Sequence, residues 1–229
     1  MKKRYRDLIQ LDNKIAEQLT TSSGRILYWQ SLLNEATKFD LFDVFLDSLK
    51  VKGDIVEFGV WRGATIKKIA AVMKDAGFDK RLYACDSFEG FGENVITKED
   101  TTLFRSENRL KKKFTTANDV PERLNEFFEH YSLDGFCIKG FFDQSLKMID
   151  SDATFCFAHI DCDAYSSHFD CLEYVYPRIT AGGCIVFDDY NAKKWPGATK
   201  AIDEFFLDKP ERLILSDKKD RAAWYVQKI

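Results

Sequence analysis

Residues 157–190 read FAHIDCDAYSSHFDCLEYVYPRITAGGCIVFDDY, and this stretch decides the fold. It opens on a short apolar run, Phe157 to Ile160, that stops at Asp161-Cys162-Asp163. It closes on a second, Cys184-Ile185-Val186-Phe187, that stops at Asp188-Asp189. Runs this short, continuous and rich in β-branched or aromatic residues are expected to be buried strands. Between them, residues 165–179 have room for one crossover helix, and Gly182-Gly183 brings the chain back into the sheet. Such a βαβ unit predicts two parallel, adjacent strands. Parallel strands end on the same edge of a sheet, so two acidic clusters converge on the edge where open α/β sheets bind ligands. Four carboxylates held together there repel one another unless a positive charge sits among them.

Outward from this unit the alternation continues. Gly53-Asp54 introduces a strand, Ile55 to Phe58, which runs into Gly59-Val60-Trp61-Arg62-Gly63 and a helix over about 64–74. A second strand, Leu82 to Cys85, ends at Asp86-Ser87-Phe88, and a third, Phe136 to Ile138, ends at Lys139-Gly140. Helices are predicted over 121–131, where Pro121 suits the first turn, over 142–149, and over 196–206. The last two strands, Leu213 to Leu215 and Ala223 to Val226, lie too close for a crossover and predict an antiparallel hairpin. Residues 1–50 carry apolar residues at helical spacing: Leu8, Leu11, Ile15, Leu19, then Ile26, Trp29, Leu32, Leu33, then Leu41, Val44, Phe45, Leu49, with a break at 20–24. Such an N-terminal extension can be a lid, an oligomer contact or a covering layer, and composition does not separate these. Residues 89–120 are polar and weakly periodic, as expected of a lid insertion or a locally disordered stretch. The whole chain, 1–229, reads as one α/β domain.

The net charge of −3 gives no basic footprint for nucleic acid or an anionic membrane. Lys2-Lys3-Arg4 and Lys111-Lys112-Lys113 read as solvated surface. The six cysteines form no Cys-x-x-Cys pair, and the three histidines lack zinc-finger spacing. The cysteines are expected to be buried small hydrophobes in a reducing compartment. The N-terminus has no apolar core of signal-peptide length, and no transmembrane run follows, so the expectation is a soluble, cytoplasmic protein.

The stretch Glu57 to Gly63 follows a strand and opens a helix, the context of a cofactor-binding turn. Glycines let a backbone approach a ligand closely, and a helix N-terminus favours negative charge. Yet Trp61 stands where a dinucleotide fingerprint needs glycine, and Glu57 would repel a pyrophosphate. Both suit a ligand carrying an ammonium group. Asp86, ending the second strand, suits ribose hydroxyls. A ligand with a ribose and an amino-acid group is S-adenosylmethionine. The bland alternative is that Gly59 and Gly63 only serve a tight turn.

The aspartates suggest a second ligand. Hard cations prefer carboxylate oxygens, and Mg²⁺ keeps several waters while using few protein ligands. Asp161, Asp188 and Asp189, at two adjacent strand ends, can share one divalent cation. Such an ion lowers the pKa of a bound hydroxyl, and Asp163 is close enough to take the proton. Helix caps are the competing account: Asp163 could cap the helix starting near Tyr165, and Asp189 a turn. Two caps leave the other carboxylates unexplained. His159 is expected to be a core residue, His168 to lie on the exposed start of the crossover helix, and Phe141 and Phe142 to flank an adenine or to pack in the core.

Read together, VEFGVWRGATI, ACDSFEGFG, IKGFFDQSL, the 157–190 stretch and WPGATKAIDEFF resemble the macrocin O-methyltransferase (TylF-like) family of Class I methyltransferases. The similarity runs from about Gly53 to Phe206 and is weakest over 89–120. It implies a Rossmann-like sheet with an antiparallel terminal strand, and metal-dependent methylation of a sugar hydroxyl in a natural product, nucleotide-sugar or polysaccharide precursor. By this resemblance Glu57, Gly59, Trp61, Gly63, Asp86, Ser87, Gly140, Phe142 and Asp161 hold S-adenosylmethionine. Asp161, Asp188 and Asp189 carry Mg²⁺ or another divalent cation, and Asp163 is the base. A catechol-type enzyme normally has Asp-Asn where this chain has Asp188-Asp189. A non-catalytic binding protein would not need Asp163.

Overall fold

The computed structural model describes residues 21–93, 95–101 and 119–229. The predicted helical positions Leu8 to Leu19, both basic runs and most of 89–120 lie outside them. The described residues form one seven-stranded sheet of order β3-β2-β1-β4-β5-β7-β6. Its strands are β1 (Asp54–Phe58), β2 (Leu82–Asp86), β3 (Gly135–Lys139), β4 (Phe155–Ile160), β5 (Ile179–Phe187), β6 (Ile214–Ser216) and β7 (Ala223–Gln227). The first five are parallel, as the crossover argument predicts. The terminal hairpin is antiparallel and joins the sheet through β7 against β5. All six residues of β4 are buried, which is why this strand reads as a continuous apolar run. β5 begins earlier than predicted, so Gly182-Gly183 lies inside the strand, where its register against β4 shifts.

The helices are α1 (Ser22–Ala36), α2 (Leu41–Ser48), α3 (Ala64–Asp75), α4 (Val120–His130), α5 (Phe142–Ser145), α6 (Tyr165–Val175) and α7 (Pro196–Phe206). Alternation along the strands divides the core. Ile55, Leu82, Ala84 and Phe157 meet α1 to α4 on one face. Val56, Phe58, Tyr83 and Ile160 meet α6 and α7 on the other. The predicted break at 20–24 becomes the start of α1, where Thr21 Oγ1 accepts the Gly24 N–H at 3.0 Å. Tyr28 and Trp29 of α1 pack on Phe127 of α4 and on Tyr131, which follows that helix, with the Trp29 and Tyr131 ring centres 4.6 Å apart. The described part of the N-terminal extension packs into the core on the Ile55 and Leu82 face of the sheet. No described helix is long and apolar enough to cross a membrane. Five cysteines are buried and Cys137 is half-buried, all as free thiols.

Candidate active site

The strand order reverses between β1 and β4, and the carboxyl ends of β1, β2, β4 and β5 open there onto one cavity of about 690 Å³. That volume suits a small-molecule site. Backbone hydrogen bonds continue past the strand ends and fix the edge. Gly59 N–H donates to Cys85 O at 2.9 Å, Asp161 N–H to Phe58 O at 2.8 Å, Asp188 N–H to Ile160 O at 3.1 Å and Gly140 N–H to Asp86 O at 2.9 Å. The β1 and β4 ends approach so closely that a Cβ on Gly59, whose φ is +86°, would overlap the carbonyl oxygen of Asp161. Glycine is needed there for space as well as for conformation.

Gly59, Trp61, Asp86, Ser87, Gly140 and Phe142 all line the cavity, together with Phe141 and Asp143. Asp86 ties this wall together. Its Oδ2 accepts the Trp61 N–H and its Oδ1 the Phe88 N–H, both at 2.7 Å. Each oxygen keeps a second lone pair that a hydroxyl can use. Phe142 stands edge-on to Phe58, ring centres 5.9 Å apart, so it belongs both to the cavity wall and to the core.

Two residues expected at this wall are elsewhere. Glu57 lies on the opposite face of β1 from Phe58, because adjacent strand residues alternate, and it is not among the residues that line the cavity. Its side chain is 1% exposed and its Oε1 lies 2.8 Å from Nδ1 of His159, its partner in register on β4. Burial raises the Glu57 carboxyl, which His159 partly offsets. Burial pulls the His159 imidazolium down, but the hydrogen bond and charge of Glu57, with Asp188 and Asp189 beyond, raise it overall. Gly63 caps α3 with a φ of +81°, and a Cβ there would overlap Leu124 of α4, so its role is helix packing. His168 also departs from expectation. It is fully buried, on the inner face of α6, with Nδ1 3.0 Å from Ala164 O and 3.4 Å from Cys162 Sγ.

The aspartates converge. Carboxylate oxygens of Asp161, Asp188 and Asp189 lie within 4.8 Å of one another, the one such group of three potential metal ligands found among the described residues. Asp161 feels this most. Burial, then the charges of Asp188, Asp189, Asp163 and Glu57, push its carboxyl well above the usual carboxylate range. A cation among the three would reverse that effect, so the donor set fits a hard divalent ion. Asp163 joins them through its backbone, whose N–H donates to Asp189 Oδ2 at 2.9 Å. Around Asp163 the cavity wall is completed by Phe91, Val95, Ser166, Lys194 and Trp195. Phe91 and Trp195 are 5.9 Å apart between ring centres, and Ser166 Oγ donates to Val95 O at 2.8 Å. Sequence reading did not assign these wall residues to a site. The Trp195-Pro196-Gly197 motif is visible in the sequence, but nothing local to it signals that the indole lines the same cavity as Asp161, 34 residues earlier.

A sheet of this order, with its ligand edge at the β1/β4 crevice, is the Rossmann-like fold of methyltransferases. Residues 42–217 match the macrocin-O-methyltransferase (TylF) family, and the chain belongs to that family. It is 27% identical over 188 residues to demethyldecarbamoylnovobiocin O-methyltransferase of Streptomyces niveus, covering 76% of this chain and 66% of the relative. It is 32% identical over 144 residues to 8-demethyl-8-(2,3-dimethoxy-alpha-L-rhamnosyl)-tetracenomycin-C 4'-O-methyltransferase of Streptomyces olivaceus, covering 61% of this chain and 54% of the relative. The chain thus spans 54 to 66% of the length of the curated relatives it matches. Among solved structures, the calicheamicin methyltransferase CalS11 shares the fold with a TM-score of 0.74 at 21% identity, covering 94% of this chain and 90% of that one. The O-methyltransferase NovP does so with a TM-score of 0.66 at 23% identity, covering 82% and 78%.

Proposed function

We propose that this chain transfers a methyl group from S-adenosylmethionine to a hydroxyl of a sugar, on a natural product or a nucleotide-linked precursor. The observation that carries this reading is the meeting of Asp161, Asp188 and Asp189 beside Asp163 in a cavity whose other wall is the Gly59 turn and Asp86. A relative named for 4'-O-methylation of a rhamnosyl-bearing tetracenomycin supports the acceptor class.

In this reading Asp86 receives the ribose hydroxyls and the close backbone at Gly59 admits the amino-acid end of the donor. Phe142 borders the adenine. Asp161, Asp188 and Asp189 would hold a divalent cation, Mg²⁺ by donor type. When bound, such an ion would offset most of the charge of the three carboxylates and would lower the pKa of a hydroxyl oxygen it touches. Asp163 takes the proton from that hydroxyl as general base. Phe91, Val95 and Trp195 exclude water from the acceptor and orient it, and orientation carries much of the acceleration in a transfer between two bound partners.

The test is methyl transfer from radiolabelled S-adenosylmethionine, with Mg²⁺ or with a chelator, to TDP-rhamnose, a rhamnosylated aglycone and a catechol in parallel. Label should enter a sugar only when metal is supplied. Absence of S-adenosylmethionine binding with metal present would overturn the reading, and label entering the catechol alone would replace the acceptor class.

A further inference from the structure

Asp100 lies in the polar stretch that precedes α4, yet it is 0% exposed. The N–H and Oγ1 of Thr97 donate to its Oδ2 at 2.8 and 3.0 Å, closing a short 3-10 turn, Lys98–Asp100. Its Oδ1 accepts the N–H of Tyr165 at 2.7 Å, 65 residues further along the chain. That N–H belongs to the first residue of α6, whose cap residue, Ala164, has no side-chain acceptor. First-turn N–H groups lack partners within a helix and favour a carboxylate. Here the carboxylate comes from a distant loop. Gly197 makes room for it, because a Cβ at that position would overlap Asp100 Oδ1.

Asp163 stands two residues before Tyr165 and has a φ of +61°, left-handed backbone that is uncommon outside glycine and that aspartate tolerates better than most residues. Two carboxylates bracket it: Asp189 holds its own N–H, and Asp100 holds that of Tyr165. The same stretch is fastened to α6 by Ser166 Oγ on Val95 O, and to α7 by Lys200 Nζ, 3.3 Å from Glu99 Oε1. We propose that Asp100 is a positioning residue that sets the conformation of Asp163 by capping α6 from the neighbouring loop, and that Gly197 of the Trp-Pro-Gly motif is required to admit it. The proposal rests on the reading of Asp163 as the base.

Amide hydrogen exchange on the full chain tests the clasp without any acceptor. In Asp100→Ala and in Gly197→Ala, the Tyr165 amide should exchange about tenfold faster or more, while the amides of β4 keep their protection. Asp100→Asn, which can keep an oxygen toward Tyr165, should fall between wild type and Asp100→Ala. The double variant Asp100→Ala/Gly197→Ala should be no worse than Asp100→Ala, because the added methyl group enters the space the carboxylate leaves. With TDP-rhamnose as acceptor, kcat should drop about tenfold or more, whereas KM for S-adenosylmethionine should move less than about threefold. An unchanged Tyr165 amide in Asp100→Ala overturns the clasp. A freed amide with unchanged kcat, or equal losses in kcat and donor binding, overturns the positioning role. If wild type transfers no methyl group to TDP-rhamnose, that counts against the proposed acceptor, and the exchange data alone decide the clasp.

Discussion

Glu57 and His159 face each other in register on the parallel strands β1 and β4, Oε1 to Nδ1 2.8 Å, and neither side chain is more than 1% exposed. A buried pair of this kind contributes little over an apolar substitute, but leaving one partner alone is expensive. Glu57→Ala should lower stability by about 3–5 kcal/mol in chemical denaturation. Glu57→Gln, which can still accept from the imidazole, should cost less. Affinity for S-adenosylhomocysteine, measured by calorimetry, should change little in Glu57→Gln, because the side chain does not border the cavity. A large loss of affinity at unchanged stability would restore the ammonium-binding role that the sequence suggests.

Asp188 is exposed, and its charge is the second-largest cause raising the Asp161 carboxyl, after burial. Removing that charge relieves repulsion in the metal-free protein. Asp188→Asn should therefore melt at the same temperature as wild type or slightly higher in a chelator. Addition of Mg²⁺ should raise the wild-type Tm, by up to about 2.7 kcal/mol of stabilisation at a hundredfold excess over Kd, and should leave the variant nearly unmoved. A variant that responds to Mg²⁺ like wild type would remove Asp188 from the ligand set.

The contrast between these two carboxylates shows what the sequence makes legible. Asp161, Asp188 and Asp189 end buried runs, and parallel topology alone brings strand ends together, so their meeting can be foreseen from order and length. Glu57 lies one residue before the end of its strand, and its destination depends on which face of the sheet it occupies. Both faces are covered by helices, so alternation of polarity does not reveal it. His168 fails for a related reason: near the start of a short helix, the residues alone do not fix which side turns inward. Asp100 is the hardest. Thr97 to Asp100 has the spacing of a capping box, but its use at the N–H of Tyr165 is a tertiary contact with no local signature.

Gly59 links the two halves of the site. A methyl group there would overlap the backbone of Asp161 and also force an L-residue into φ near +86°. The left-handed conformation alone costs about 1–2 kcal/mol, and backbone cannot yield as a side-chain tip can. Gly59→Ala should lose more than about 2 kcal/mol of stability and also weaken Mg²⁺-induced stabilisation, since Asp161 must shift. Thermal melts with and without the ion measure both. A variant with wild-type stability would mean that the β1 and β4 ends are further apart than described.

Glu211 lies on the far side of the sheet from this chemistry and makes the acid limit of the fold predictable. Its buried side chain accepts from Lys228 Nζ at 2.7 Å, Tyr176 Oη at 2.8 Å and the Ile229 N–H at 3.3 Å. Burial pushes its carboxyl up, but the Lys228 and Tyr176 bonds and the backbone N–H outweigh it and bring the pKa down to about 2, from an ordinary 4.5. The folded pKa lies below the unfolded one, so the folded state binds this proton less readily. The resulting stability is fully present above about pH 4.5 and is lost as pH falls toward 2. It should amount to about 1–3 kcal/mol, the upper figure being the whole shift without solvent screening. Urea denaturation of wild type and Glu211→Gln between pH 6 and pH 3 isolates it. The variant should be less stable at pH 6, because Lys228 loses its charged partner. The gap should narrow as the pH falls, since protonating Glu211 does to the wild type what the substitution does at every pH. Parallel curves across the whole range would show that Glu211 carries no depressed pKa.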